Sequence, residues 1–481
     1  MLDTIRDLVD LAPRATGTDN GRATAAYVKG RLERAGLPEV LVEESSSFHW
    51  EVTEQRLVIG SESVVAKPIQ HCFIPGHEAV GEWSTGPEGL TASLVDIGGD
   101  SVKEAVARGV SVRGSIVLFD LAFTMTLGSM LPLTHYVHDP GRKMMRREVL
   151  ASRNPYVTSL TTVMEEAAAA GAVGVIGVLR DYAESVNYHN EYYRKHVLSL
   201  PGFWITRSTG DRIRNELASG AIDSATLHLT VQRSAVTAQT VIGVLPGRTD
   251  DAIMVQSHHD SVGPGAVEDG TGASAVIALA EYYAAQAAVG ARREKTLLFI
   301  TFDSHFTGYH AHQDFVCRHV LADTPRWQVV LNATIEHIGL RAVRGQDGGF
   351  NVLQETEPRG IFENVSPRLK LALVKAIRRH GLGQTVLVNA SPLEFGDLGI
   401  PTDASFTLTA GVPTISLVSG PLYLYDDADT IDKVDVHQLE PVARAFAEVI
   451  DAADRMPSGR LGLIPRRLRA RLPRRGRAVD A

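Results

Sequence analysis

The stretch Asp251–Ala285, DAIMVQSHHDSVGPGAVEDGTGASAVIALAEYYAA, decides the fold. It opens on a short run rich in apolar side chains, the pattern of a strand buried on both faces. A polar break with His258, His259 and Asp260 follows. A glycine-rich loop then ends in Asp269, ahead of the helix expected from ASAVIALAEYYAA. Downstream the alternation of strand and helix continues through KTLLFITFD, YHAHQDFVCRHV, WQVVLNATIEHIG, SPRLKLALVKAIRRHG, PTISLVSG and LEPVARAFAEVIDAA. Apolar strands interleaved with helices predict an α/β fold, a mostly parallel sheet with helices on both faces. Sites in such sheets lie at the carboxyl ends of the strands.

Upstream the texture differs. Two amphipathic helices around a Gly/Pro/Asn turn lead into a strand at Glu39. Between Phe73 and Val231 the runs ASLVDIGG, GSIVLFDL, GVIGVL and PGFWIT are short and β-branched, and VMEEAAAAGA reads as a helix. LGSMLPLTHYVHDPGRKMMRREVLASRNP has no clean period and is expected to be a long loop or lid. The expected division is 1–72, the N-terminal part of the main domain; 73–232, an insert; 233–455, the main domain; and 456–481, a basic tail without fixed structure.

The 481 residues are 44% hydrophobic and 22% charged, ordinary values for globular protein. Net charge is −8, yet the segment from Arg460 holds eight arginines against Asp480 alone, leaving −15 for the rest. An acidic body argues against a nucleic-acid partner. Cys72 and Cys317 are far apart, so neither a disulfide framework nor a CxxC knuckle is expected. The N-terminus mixes charges and lacks a signal-peptide core, and no apolar run reaches about 18 residues. The expectation is therefore a cytoplasmic protein with no membrane span, with self-association left open.

Four strand ends bring imidazole or carboxylate to one rim: His258, His259 and Asp260; Asp303 and His305; Glu336 and His337; and, from LYLYDDADTIDKVD, Tyr425, Asp426, Asp427 and Asp429. Asp269 joins them from the loop. Such a set suits a divalent cation. His310 and His312 are expected on the following helix, facing solvent or a lid.

SHHDSVGPGAVEDGTGASAVIALAE resembles the HxD…DNGSG signature of the dinuclear-zinc aminopeptidase family, which includes leucyl aminopeptidase, glutamate carboxypeptidase, glutaminyl cyclase and the catalytically silent transferrin receptor. TLLFITFDSHFTGYHAHQDF is similar to its FxxFDGEExGLxGS segment, and TIEHIG to xxDMIG. TDASFTLTAGVPTISLVSG…YDDADTIDKVD resembles SDHxxFxxAGIPxxxL…YHTPxDTxDKVD. The resemblance implies a zinc-exopeptidase-like fold with an inserted β-rich α+β protease-associated domain. It puts His258 on a metal-ligand histidine, Asp260 on the aspartate that orients it, Asp269 on the bridging aspartate and Glu336 on a terminal carboxylate. The second ion's private glutamate and histidine become Phe306 and Tyr425, and the general-base glutamate becomes His305.

The implied site is thus reduced: one divalent ion, zinc, per chain on His258, Asp269 and Glu336, with His305, Asp260 and Tyr425 as candidate catalytic residues. The expected activity is metal-dependent hydrolysis of an amide bond in a peptide or an amino-acid-derived small molecule. Two other readings stay open: a silent member acting as a binding or scaffold protein, and a non-hydrolytic cyclase or lyase of specialised metabolism.

Overall fold

The computed structural model describes residues 1–190, 196–396 and 399–464. Its centre is the strand Thr249–His258, parallel to Lys295–Phe302 on one side and to Gln328–Ile335 on the other. Gln328–Ile335 also pairs parallel with Thr414–Ser419. Beyond these, Arg359–Glu363 runs antiparallel to Thr414–Ser419 and parallel to Thr385–Asn389.

Side chains alternate across these strands, and both faces find cover. Ile253, Val255, Leu297 and Phe299 join a core that includes Val276 and Ala280 of the helix Gly270–Ala288. Their neighbours Ala252, Met254, Leu298 and Ile300 face the opposite way, onto Ala311, Phe315 and Trp327. A fully buried side chain of this size contributes about 1.5–3 kcal/mol relative to exposure, so neither face is dispensable. Double coverage explains why these strands read as unbroken apolar runs. The result is the predicted α/β sheet with helices on both faces.

The strand after Glu39 is longer than its sequence suggested. Glu39–Ile59 pairs along nearly all of Ser224–Leu245, whose far end lies antiparallel to Lys295–Phe302 in the main sheet. Leu90–Gly98, Ile116–Asp120, Gly174–Leu179 and Gly202–Thr206 form a parallel set attached to the other end of Ser224–Leu245.

The segment expected to be an irregular lid is partly regular. It holds a 3-10 turn at Gly128–Leu133, a strand Thr134–His138 and a short helix Arg147–Leu150. Thr134–His138 pairs antiparallel with Thr385–Asn389 and so caps the far edge of the main sheet. Its five residues are too few to show a period against their irregular flanks, which is why the sequence concealed them. Of the basic tail, residues 465–481 lie outside the described residues. Among the described residues no helix is long and apolar enough to cross a membrane.

Candidate metal centre

His258 is the last residue of its strand and is buried. Its Nδ1 donates to the Asp260 carbonyl at 3.0 Å and lies 3.4 Å from the Asp260 carboxylate. The ring therefore turns Nε2 inward, where it meets Glu268 Oε1 at 3.2 Å. The other oxygen of Glu268 is 2.5 Å from His337 Nε2, while His337 Nδ1 donates to the Ser419 carbonyl at 2.7 Å. Glu268 is held in place through its backbone N–H, which donates to Asp429 at 2.9 Å.

A second polar chain meets the first. The His305 ring stacks on His258 with centroids 3.9 Å apart. Its Nδ1 contacts Asp403 at 2.8 Å, and its Nε2 lies 3.3 Å from the Tyr309 hydroxyl and 3.6 Å from Glu268. Asp403 also meets His312 Nε2 at 3.0 Å. His312 is thus buried beneath the site and does not face solvent or a lid as its helical position suggested; His310 is only half-buried. The helix packs this face against Phe302 and Phe406, which draws His312 inward.

Two expected ligands are placed elsewhere. Asp269 caps the helix Gly270–Ala288: its Oδ1 accepts from the backbone N–H groups of Gly272 at 2.9 Å and His337 at 3.2 Å. Its Oδ2 accepts from the Ser257 hydroxyl at 2.6 Å. A carboxylate spent on a helix cap has little left for an ion. A Cβ on Gly272 would collide with that carboxylate and with the Ile335 carbonyl, so the cap is built around a glycine.

Glu336 accepts from the Asp403 backbone N–H at 3.0 Å. Burial, then the nearby Asp403 carboxylate, pushes it well above the usual carboxylate range, toward the neutral acid. His337, where the backbone turns through a φ of 59°, faces Glu268 instead. Glu268 and His337, not Asp269 and Glu336, join His258 in a group whose ligand atoms lie within 4.8 Å of one another. Matching Gly270-Thr271-Gly272 to the GSG of the signature puts Glu268 on its aspartate. The cap pattern also frees Glu268, a signal that was in the sequence.

The remaining candidates divide. Asp260 sits beside His258 and accepts from the Phe306 backbone N–H at 3.2 Å. Phe306 and Tyr425 turn their rings toward each other, 5.9 Å apart, with His189 5.8 Å from each. Tyr425 thus packs in an aromatic group beside the polar centre. Sequence reading also missed Asp403 and Arg14. The buried Arg14 guanidinium donates to four carbonyls, those of Leu8, His259, Pro264 and Gly265, and ties down the loop that carries Glu268. Burial brings it down to about 10. No periodicity marks Arg14 as special.

The electrostatics follow from this crowding. Burial alone would raise the Glu268 carboxyl, but His337 and His258 hold it well below the usual range. Burial opposes an imidazolium at His337, yet Glu268 takes it up to about 10. His258 is likewise raised, against its burial, by Asp260 and Glu268. A pocket that stabilises positive charge on two imidazoles is one in which a cation can displace their protons. The donor set fits such an ion. His258 Nε2, both Glu268 oxygens and His337 Nε2 are buried without a hydrogen bond of normal geometry. Ligand atoms of these three residues lie within 4.8 Å of one another. A second trio, His258, His305 and Asp403, meets the same measure but shares His258. Around Phe306 and Tyr425 the residues do not fit an ion, since a phenyl ring offers no donor and a neutral phenol is a poor one.

The mostly parallel sheet with helices on both faces is a zinc-exopeptidase-like fold. Residues 240–339 match the model of Peptidase family M28. Carboxypeptidase Q of Rattus norvegicus is 24% identical over 462 residues, covering 92% of this chain and 82% of that protein. A peptidase M28 precursor from Shewanella amazonensis superposes with a TM-score of 0.67 at 19% identity, covering 96% of this chain and 95% of that one. BSAP, a zinc aminopeptidase from Bacillus subtilis, gives 0.63 at 17% identity, with 96% and 97% covered. The family match over residues 240–339, the relative and the shared fold make the chain similar to zinc aminopeptidases and support a metallopeptidase-like hydrolase.

Proposed function

We propose that the chain hydrolyses an amide bond of a peptide or an amino-acid-derived small molecule, using one divalent ion, zinc as in BSAP, held by His258, Glu268 and His337. The observation that carries this reading is the convergence of those three buried side chains, with their ligand atoms within 4.8 Å of one another. An ion there supplies Lewis acidity toward an amide carbonyl.

The chain's own residues do the rest. The Asp260 and Ser419 carbonyls hold Nδ1–H of His258 and His337, so both rings present Nε2 to the centre. Asp403 fixes Nδ1 of His305, and its Nε2, 3.3 Å from the Tyr309 hydroxyl, takes a proton from the attacking water and returns it to the leaving nitrogen. Imidazole suits that exchange near neutrality. Phe306 and Tyr425 exclude bulk water from one flank. The insert's Ser185, whose hydroxyl donates to Asp426 at 2.7 Å, and His189, whose N–H donates to the Tyr425 carbonyl at 2.9 Å, close over the same flank and control access.

Elemental analysis after gel filtration should find about one divalent ion per chain, because His258 with its Nδ1 engaged can serve only one ion. Cleavage of a panel of aminoacyl and N-acyl amides should stop with a chelator and return with zinc. Two equivalents would mean that the aromatic flank binds an ion after all. No metal and no turnover would favour the silent, scaffold reading, for which the loss of donors at Phe306 and Tyr425 is the supporting observation.

A further inference from the structure

Beside the centre, on the Phe306 side, lies a cavity of about 580 Å³. That is within the range of small-molecule sites, roughly 300–1,000 Å³. It is lined by the N-terminal segment, the strand around Trp50, the segment Ala66–His71 and the insert's Val186–His189, and Phe306 and Asp260 border it on the side of the centre. The chain thus puts a phenyl ring where the resemblance expects a metal-ligand glutamate, and that ring forms part of a cavity wall.

Aromatic rings face one another across the cavity. The rings of Trp50 and His71 stand 5.6 Å apart on one side, and those of His189 and Phe306 stand 5.8 Å apart on the other. Burial and then Arg233 bring His71 down to about 3, and burial and then Lys67 bring His189 down to about 4, so both are neutral imidazoles near pH 7. His189 is 4% exposed and its Nδ1 has no hydrogen-bond partner.

The charged groups are already engaged or outside. Lys67 pairs with Asp427 at 3.4 Å, both partly exposed. Asp260 accepts from Phe306 N–H and lies against His258, and Glu51 is exposed. Among the described lining residues Asp260 is the one buried carboxylate, and it lies 3.4 Å from the His258 imidazole at the edge of the cavity; a bare ammonium among the rings farther in is costly.

We propose that this cavity binds an uncharged, largely apolar amide, the N-acylated end of a blocked amino acid or peptide, with its aromatic or branched body between Trp50 and Phe306. The amide group faces His189. The proposal rests on the adjoining centre being the site of amide cleavage, and it names a capped substrate in place of one with a free amino terminus.

The test is titration calorimetry of the full-length protein as purified, at about pH 6, where the free amine is protonated, with N-acetyl-L-phenylalaninamide and with L-phenylalaninamide. The neutral probe should bind at least about tenfold more tightly than its cationic counterpart. Ala66→Trp, which fills the cavity, should weaken the neutral probe by at least about tenfold with metal content unchanged. Val52→Phe provides the same reading if the first variant does not fold. Equal or better binding of the amine, unaltered binding in a folded filled variant, or no heat from the neutral probe up to about 5 mM would each overturn the proposal. Calorimetry needs no turnover, so a missing metal or a silent centre would appear in elemental analysis and leave this result to stand or fall separately.

Discussion

On one flank of the centre His258, Glu268 and His337 turn three donors toward one another; on the other, Phe306, Tyr425 and His189 turn ring faces. Both flanks are buried. The polar flank keeps its geometry by anchoring the far side of every group: Nδ1 of each imidazole to a carbonyl, and the Glu268 backbone to Asp429. The aromatic flank needs no such anchors, because ring packing is less directional. A buried polar site must be specified atom by atom, and a buried apolar wall only by shape.

The largest effect should come from Glu268→Gln. Glu268 lies between two imidazoles, His258 and His337, that its charge keeps protonated or, with an ion bound, ligating. Removing one partner of a buried ion pair costs about 3–5 kcal/mol. We expect loss of metal and activity, together with a lower urea midpoint for the chelator-treated protein. A variant that keeps a full equivalent of metal would move the ion to the trio of His258, His305 and Asp403.

His305→Ala comes next and asks whether the second polar chain serves chemistry or binding. As the proton-moving group, its loss should lower kcat by about 10²–10⁴-fold with metal content unchanged. Metal and activity falling together would make His305 a ligand, and full activity would make it a bystander.

The fold was legible in the sequence because each central strand is buried on both faces, so Ile253 and Met254 announce themselves equally although they face different cores. The rim was legible as a set of strand ends. What did not show was which of two adjacent residues faces inward. Glu268 and Asp269, and Glu336 and His337, are neighbours that differ only in side-chain direction, and cap bonding and the turn at His337 decide between them. Asp403 and Arg14 act across more than 90 and 240 positions of chain, His305 to Asp403 and Arg14 to His259, and nothing local marks them. The segment between 128 and 150 hid an edge strand for a related reason: its partner, Thr385–Asn389, lies far along the chain.

The smallest expected effect is the most direct check on the polar flank. Asp269→Asn keeps an oxygen for the Gly272 and His337 N–H groups, and asparagine is about as good an N-cap as aspartate. On the Ser257 side the new amide meets a hydroxyl that can rotate to accept, and Ser257 already lies 3.3 Å from the His258 carbonyl as an alternative acceptor. Stability should fall by about 1 kcal/mol or less, and metal content should stay at the wild-type value. If Asp269 were instead an ion ligand, exchanging its charge for an amide would strip metal while the helix stayed capped. Thermal unfolding and elemental analysis on the same sample separate the two: a small shift in Tm with full metal supports the cap, and an unchanged Tm with lost metal returns the ligand role to Asp269 and takes it from Glu268.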